Sequence, residues 1–429
     1  MFQSMDEVNH FFMQRRNLGI NPGLDRMKRL LDSQNNPHLM IKTVHIAGTN
    51  GKGSTLTFLK DALIHHEYRV GVFSSPSLTG LTGHIRINDN PISDQEFMKL
   101  LYQLLPVIKK LDSEEMAPTE FEIITAICFM YFKDHVDIAI IEAGMGGRED
   151  STNCIQPILS IITNIAMDHA SFLGDTLGEI AYQKAGIIKE NTPVIVGVMD
   201  EVSLAIVENE ALKHNAPLYQ LQHHFTYRLT DRNDNFQRFN WQFEESSYPI
   251  EIKMQGEHQV VNVSNAIMAL KVLEWKGFRL NWDQVMLALK ESKLNGRFEK
   301  IHDQPIIVLD GAHNPNGMEA FLRTVENQYK DFRKHLIFAG FRDKELASMI
   351  EMASPLFDSV TITTFDHPRA EDPENLLHSL QSSTLKMADW KNIITTMYNH
   401  DTTEDEAYFF AGSLHFIGYV RDYIFSLTM

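Results

Sequence analysis

A glycine-rich segment, HIAGTNGKGST from His45 to Thr55, is the feature that most constrains the fold. The β-branched run IKTVHIAG precedes it, and STLTFLKDALIHHEY follows with apolar residues at helical spacing. In the order strand, glycine loop and helix, backbone N–H groups and a positive helix terminus point at a phosphate. The spacing is not that of a Walker A loop, because Ile46 replaces the first glycine and Gly53 follows Lys52. The segment therefore predicts a phosphate-binding loop of a different type. The alternative is a tight strand-to-helix turn with an incidental lysine.

Strands and helices alternate through the first half of the chain. The runs RVGVFSS, VDIAIIEAG, ILSIITNI and TPVIVGV each indicate a buried strand, and FEIITAICFMYFKDH indicates a core helix. Alternation of this kind predicts an α/β fold with a doubly wound, mostly parallel sheet.

The pattern changes at residues 225–254, which are rich in aromatic residues and predict two or three antiparallel strands. The segment HQVVNVSNAIMALKVLEW then indicates a helix, and a second α/β series begins with KLNGRFEKIHDQPIIVLDGAHNP. HLIFAGF, SVTITTF and AYFFAGS supply its further strands. We expect one domain over residues 1–295 and a smaller one over 296–429.

Composition narrows the class of protein. The chain has 429 residues, a net charge of −17 and only two cysteines, Cys128 and Cys154, without CxxC spacing. The acidic balance argues against general nucleic-acid binding, and no apolar run reaches the ~18 residues of a membrane helix. The N-terminus is a poor signal peptide. These features predict a cytoplasmic protein without nucleic-acid or membrane partners.

Three polar residues follow predicted strands near the loop: Ser75, Glu142 and His169. Ligands of open α/β sheets bind at the carboxyl ends of the strands, and Mg²⁺ prefers oxygen ligands together with phosphate and water. Glu142 is the strongest candidate ligand. A structural hydrogen bond is the alternative for each residue, and histidine is an unusual Mg²⁺ ligand.

Nine motifs in order carry a family resemblance: AGTNGKGS, SSP, PTEFE, IEAGMGGREDSTN, MDH…LG, QKAGIIK, GEHQVVNVSNA, GRFE and LDGAHNP. The chain resembles the folylpolyglutamate synthase/dihydrofolate synthase family, which is related to the Mur peptidoglycan ligases. The resemblance extends over nearly the whole chain. It implies a Mur-ligase-like N-terminal P-loop ATPase domain with a small antiparallel subsheet, and a smaller Rossmann-like C-terminal domain.

The resemblance also implies a nucleotide and metal site. ATP would be bound by residues of the loop and of two later motifs, which are Gly48, Thr49, Asn50, Gly51, Lys52, Gly53, Ser54, Asn262, Arg297, Asp310 and His313. Two Mg²⁺ ions would be held by Ser75, Glu142, His169 and a carbamylated Lys184. The catalytic residues implied are Lys52, Lys184, His169 and Arg297. A salt bridge is the alternative role for Arg297, a helix cap for His313, and a surface lysine for Lys184.

The folate or pteroate site implied by the resemblance comprises Thr119, Glu120, Phe121, Glu122, Glu149, Asp150 and Ser151. An aromatic face stacks on a flat pterin and a carboxylate accepts its N–H donors, although Phe121 also fits a plain core position. The chain departs from the family in SSPSLTGLTGHIRIN, where Ser77 replaces a histidine and Gly83 and His84 stand where glutamate is usual. Gly80 and Gly83 suggest a mobile loop there.

The implied activity is ATP-dependent addition of L-glutamate to folates through an acyl phosphate, by a monomer. Tetrahydrofolate polyglutamylation is the expected reaction, with dihydropteroate to dihydrofolate as a second one. Two alternatives stay open: a Mur-type amino-acid ligase acting on a cell-wall precursor, and a nucleotide-binding regulatory protein without ligase activity.

Overall fold

The computed structural model describes residues 2–16, 18–77, 79–380, 385–399 and 405–428. The chain divides into two compact units. The first comprises Met1–Arg228, Asn240–Ile250 and Val261–Lys290, and the second comprises Leu229–Phe239, Glu251–Val260 and Glu291–Met429. This division is discontinuous, and the single boundary at 295/296 stays a prediction.

The first unit contains a large sheet whose strands are β1 (Thr43–Ala47), β2 (Val70–Phe73), β3 (Ile85–Ile87), β4 (Asn90–Pro91), β5 (Ile138–Glu142), β6 (Leu159–Ile162), β7 (Val194–Val196) and β8 (Leu218–Gln220). Their order is β4-β3-β2-β5-β1-β6-β7-β8. The six strands from β2 to β8 in this order are parallel, and β3 and β4 form an antiparallel edge. The predicted mostly parallel sheet is confirmed.

Helices of the first unit include α1 (Met5–Arg16), α2 (Asp25–Asp32), α3 (Lys52–Ile64), α4 (Asp94–Ser113), α5 (Glu120–Phe132), α6 (Ala170–Leu173), α7 (Leu177–Ala185) and α8 (Glu201–Lys213). One apolar cluster joins α1, α2, α4 and α5 to the sheet, and another joins α7 and α8 to β6 and β7. Strand β5 is buried at every position, as its continuous apolar run predicts.

Three strands follow, β9 (Phe225–Arg232), β10 (Gln237–Phe243) and β11 (Ser246–Ile252), and they form a separate sheet in the order β11-β10-β9. The backbone N–H of Asn233 donates to the Phe236 carbonyl across the turn between β9 and β10. Neighbouring strands joined by so short a turn run antiparallel. Helices α9 (Glu257–Trp275) and α10 (Trp282–Glu291) come next.

The second unit contains a six-stranded sheet with β12 (Glu299–Asp303), β13 (Ile306–Leu309), β14 (Arg333–Phe338), β15 (Ser359–Ile362), β16 (Lys386–Met387) and β17 (Glu406–Ala411). The order is β12-β13-β17-β14-β15-β16, and only β12 is antiparallel to its neighbour. The helices are α11 (Pro315–Gln328), α12 (Leu346–Ala353), α13 (Pro373–Leu380), α14 (Trp390–Asn399) and α15 (Leu414–Thr428). Within the described ranges, no helix has the length and apolar character needed to cross a membrane.

Candidate active site

The glycine loop lies between β1 and α3, as predicted, and two of its glycines are required by close contacts. Gly48 has φ +153° and Gly51 has φ +83°. A Cβ added to Gly48 would lie 1.9 Å from Thr163 Oγ1, and one added to Gly51 would lie 2.3 Å from Asn262 Oδ1. Asn262 therefore packs directly on the loop to which the resemblance assigns it.

The loop is fastened to the segment that follows β6. The Asn50 backbone N–H donates to Asn164 Oδ1 at 2.7 Å, and the Thr163 hydroxyl donates to the Asn50 carbonyl at 2.6 Å. Thr49 Oγ1 bonds to Ala166 at 3.0 Å. Sequence reasoning missed Thr163 and Asn164, although two polar residues directly after an apolar strand are a usable signal.

Lys52 begins α3 and its ammonium folds back over the loop. Lys52 Nζ donates to the Gly48 carbonyl at 3.0 Å and lies 3.9 Å from Glu142 Oε1. Glu142 is buried at the carboxyl end of β5, where it pairs in register with Ile46 of β1. The structure thus brings a phosphate-loop cation and a strand-end carboxylate together.

Lys184 lies on α7 and is buried, with 4% of its surface exposed. Burial, followed by the charge of Lys52, lowers the pKa of the Lys184 amine to about 7, while the charges of Asp168 and Asp150 act in the opposite direction. The surface-lysine alternative is therefore wrong. Asp168 was not identified from the sequence as a residue near Lys184; only the adjacent His169 was identified.

The other two proposed metal ligands are more accessible. His169 adopts a left-handed conformation with φ +53° directly before α6, and its Nε2 lies 3.9 Å from Asp168 Oδ1. Ser75 is half-buried after β2. No group of three or more His, Cys, Asp or Glu side chains with metal-binding geometry occurs among the residues that the structure describes.

Arg86 is a further cation near this edge that sequence reasoning missed. Its guanidinium donates to Ser74 Oγ at 3.0 Å. Burial lowers the pKa of Arg86, and the charges of Asp89 and Glu142 oppose that shift. A basic residue of β3 therefore acts electrostatically on the Glu142 carboxylate.

Phe121 and Asp150, from the predicted folate site, both lie close to Gly144. A Cβ added to Gly144 would lie 2.7 Å from Phe121 Cζ and 3.2 Å from Asp150 Oδ2. Phe121 also packs on Phe73 with ring centroids 5.6 Å apart. Asp150 is buried, which raises the pKa of its carboxyl, and hydrogen bonds from Thr152, Met145 and Gly144 oppose this shift.

Two glutamates of the PTEFE motif contact other parts of the chain. Glu122 closes a capping box with Thr119 at the start of α5, and Arg26 Nε donates to it at 2.9 Å. Arg16 pairs with Glu120 at 2.8 Å. These contacts fix the first turn of α5, which carries Phe121. Glu149 is exposed and Ser151 is half-buried, and their assignment to the folate site stays a prediction.

The stretch that departs from the family forms a compact turn in its described residues; Leu78 lies outside them. A Cβ on Gly83 would lie 2.1 Å from Thr79 Oγ1 and 2.3 Å from Ser77 Oγ. The Gly83 N–H donates to the Gly80 carbonyl at 3.3 Å, and His84 Nδ1 donates to the Ser74 carbonyl at 2.8 Å. Gly83 is therefore needed for close packing.

In the second unit, Asp310 and Arg297 are neighbours. Asp310 is buried and accepts from the backbone N–H groups of Phe298 and Ala312, each at 2.8 Å. Burial raises the pKa of Asp310, and the Arg297 charge opposes that shift. A Cβ on Gly311 would lie 3.1 Å from an Arg297 guanidinium nitrogen.

His313 lies just beyond this pair, and its Nδ1 donates to the Gly311 carbonyl at 2.8 Å. The cap of α11 is Asn314, whose Oδ1 accepts from the Gly317 N–H. The alternative reading of His313 as the helix cap is therefore wrong.

Fold and loop together define a Mur-type ligase, and family comparison agrees. The Mur ligase middle domain matches residues 46–270, and the glutamate ligase domain of Mur ligases matches residues 296–414.

Individual relatives narrow this class. The chain is 34% identical over 426 residues to a dihydrofolate synthase/folylpolyglutamate synthase of Bacillus subtilis, covering 98% of this chain and 99% of the relative. A folylpolyglutamate synthase structure from Thermotoga maritima has 32% identity and a TM-score of 0.83, covering 98% of this chain and 96% of that one. Mycobacterium tuberculosis folylpolyglutamate synthase complexed with ADP has 28% identity and a TM-score of 0.88, with 97% of each chain covered. The chain belongs to the folylpolyglutamate synthase/dihydrofolate synthase family.

Proposed function

We propose that this protein is an ATP-dependent ligase that adds L-glutamate to folates. Tetrahydrofolate polyglutamylation is the principal reaction, and dihydropteroate to dihydrofolate is a second one. The observation that carries the proposal is the grouping of Lys52, Glu142 and a buried Lys184 at the nucleotide edge of the sheet. Membership of a family whose relatives match this chain end to end supports it.

The chemistry requires an activated carboxylate, because an amine and a carboxylate do not condense directly in water. The folate carboxylate oxygen attacks the γ-phosphorus of ATP, which forms an acyl phosphate and releases ADP. The neutral amine of glutamate then attacks the acyl carbon, the amide bond forms, and inorganic phosphate leaves with loss of a proton. The protein supplies position and charge, with Lys52 and the loop N–H groups facing the transferred phosphoryl group.

Two Mg²⁺ ions fit the donor set of this edge. Magnesium uses few protein oxygens and takes its remaining ligands from water and phosphate, and the buried carboxylate of Glu142 is an oxygen donor of this kind. Glu142 and Ser75 would hold one ion, and Glu142, His169 and modified Lys184 would hold the second. When bound, magnesium neutralises phosphate charge.

Carbamylation of Lys184 needs a neutral amine, and a pKa of about 7 supplies one at cellular pH. The neutral nitrogen attacks CO₂, a C–N bond forms, and one proton is released. The product is an anion with two oxygens, whereas a lysine ammonium has no acceptor. The Lys184 backbone carbonyl accepts from the Ile187 N–H at 3.3 Å, and modification of the side-chain amine leaves that hydrogen bond in place.

Further residues are proposed to bind the folate and the nucleotide. Phe121, with Asp150 behind it, forms a wall for the pterin. Asn262 contacts the nucleotide beside the loop. Nucleotide binding is also the proposed role of Arg297, Asp310 and His313. The protein acts in the cytoplasm as a monomer.

The test is glutamate incorporation. Purified protein with ATP, Mg²⁺ and labelled glutamate is offered tetrahydrofolate and dihydropteroate separately, with Lys52→Ala as the inactive control. We expect incorporation with tetrahydrofolate and, less strongly, with dihydropteroate. A third reaction offers a cell-wall precursor in place of the folate. Incorporation in that reaction alone would establish the Mur-type alternative, and ATP turnover without any acceptor would establish the regulatory one.

A further inference from the structure

His45 is a fully buried histidine to which the proposed reaction assigns no task. It lies on β1, three residues before Gly48, and none of its surface is exposed. Burial lowers its pKa to about 3, so the imidazole is neutral at cellular pH. Its Nε2 lies 2.9 Å from Thr152 Oγ1, a residue more than a hundred positions later.

Thr152 in turn hydrogen-bonds to Asp150, a residue of the proposed folate site. The Thr152 hydroxyl lies 2.5 Å from Asp150 Oδ1, and the Thr152 N–H donates to the same oxygen at 3.0 Å. The other oxygen, Oδ2, accepts from the Met145 N–H at 2.8 Å. Asp150 therefore joins the turn after Glu142 to the short helix that contains Thr152.

The direction of these bonds follows from donor and acceptor count. A carboxylate only accepts, so the single hydroxyl proton of Thr152 is donated to Asp150. Thr152 Oγ1 must then accept from His45, which places the imidazole proton on Nε2. With the opposite tautomer, the Thr152 hydroxyl proton would point to His45 Nε2, and no hydrogen would lie between the Thr152 and Asp150 oxygens 2.5 Å apart.

We propose that His45 is a positioning residue for the folate: its Nε2–H orients the Thr152 hydroxyl, which holds Asp150 and the Gly144–Met145 turn against Phe121. This inference rests on the proposed function. The hydrogen bonds of His45 connect β1, which precedes the nucleotide loop, to Asp150 of the proposed folate site. The imidazole itself contacts no substrate.

Four variants test the linkage. His45→Leu removes the donor, Thr152→Val removes the hydroxyl with little change of shape, and His45→Gln keeps an N–H that reaches Thr152. His38→Leu is the matched control, since His38 is another largely buried histidine of the first unit and has no part in this chain of bonds.

The kinetic readout is the KM for the folate, measured apart from the KM for ATP. Loss of one buried hydrogen bond predicts a rise of about five- to tenfold in folate KM for His45→Leu and Thr152→Val. The double variant should be no worse than either single one, because both break the same chain. His45→Gln and His38→Leu should keep the wild-type folate KM, and no variant should change the ATP KM.

A second readout does not depend on activity. Hydrogen exchange of the Met145 and Thr152 amides should accelerate in His45→Leu, with no change in the loop amides near Lys52. If the wild type ligates glutamate to no folate, the proposed function fails and the exchange comparison still decides the positioning role. Unchanged exchange at Met145, or an unchanged folate KM in an active His45→Leu enzyme, would overturn the inference.

Discussion

Replacing Lys184 with methionine should stabilise the first unit while abolishing ligation. Burial holds the Lys184 pKa near 7, against an ordinary value of 10.5. The folded state therefore binds fewer protons than the unfolded state at this site, and the lysine destabilises the fold at every pH below about 10.5. The cost grows as pH falls from 10.5 to 7 and is constant below that. At ~1.4 kcal/mol for each pKa unit, it is on the order of 5 kcal/mol at pH 6 and about 2 kcal/mol at pH 9.

The assay is urea unfolding of the substrate-free protein in CO₂-free buffer. Unfolding of the first unit is isolated by Trp390→Phe, because the remaining tryptophans all lie in that unit: Trp241, Trp275 and Trp282. Lys184→Met should exceed the wild type in free energy of unfolding, with a difference that shrinks from pH 6 to pH 9. Added bicarbonate should stabilise only the wild type, since a carbamate forms on the folded state.

Lys60→Met is the matched control. Lys60 is also largely buried, but it pairs with Asp61 at 2.8 Å and with Asp89, so its loss leaves carboxylates without a partner. This variant should not gain stability. A Lys184→Met protein less stable than the wild type at pH 6, or a difference independent of pH, would refute the reasoning that this amine is kept neutral by burial.

Three further variants test the nucleotide site. Lys52→Ala should lower kcat for ligation by about 100- to 1000-fold through loss of charge at the phosphoryl group, and normal ATP turnover would contradict this. Gly51→Ala should weaken ADP binding in calorimetry, since its Cβ meets Asn262 at 2.3 Å; Gly277→Ala, which has a positive φ but open space, should not. Arg297→Ala should lower kcat more than it weakens ATP binding, and a change confined to ATP affinity would exclude a transition-state role.

The sequence predicted those features that depend on local pattern. The glycine loop, the core strands and Glu142 at a strand end all follow from residues close together in the chain and from the rule that parallel strands end at one edge. The spacing of glycines before Lys52, which differs from that of a Walker A loop, also has a structural reason. Positions 48 and 51 require glycine because a Cβ there would collide with Thr163 and Asn262.

What the sequence could not supply were partners distant along the chain. Asn164 fastens Asn50, and Thr152 meets His45, through registers that only the folded sheet defines. The motif predicts Glu122 as a residue of the folate site, which stays a prediction. Its contact with Arg26 of α2, almost a hundred positions earlier, is one that no local pattern reveals. Burial of Lys184 is likewise a tertiary property.

Formation of an acyl phosphate by this protein is tested most directly by following an oxygen atom from the folate carboxylate into inorganic phosphate. Tetrahydrofolate carrying ¹⁸O in its γ-carboxylate is incubated with ATP, Mg²⁺, glutamate and the protein, and the released phosphate is analysed by mass spectrometry. An acyl phosphate intermediate predicts one ¹⁸O atom in each phosphate formed, in equal number to the amide bonds. Phosphate free of ¹⁸O while amide forms would contradict the acyl phosphate, and phosphate release without amide would contradict ligation itself.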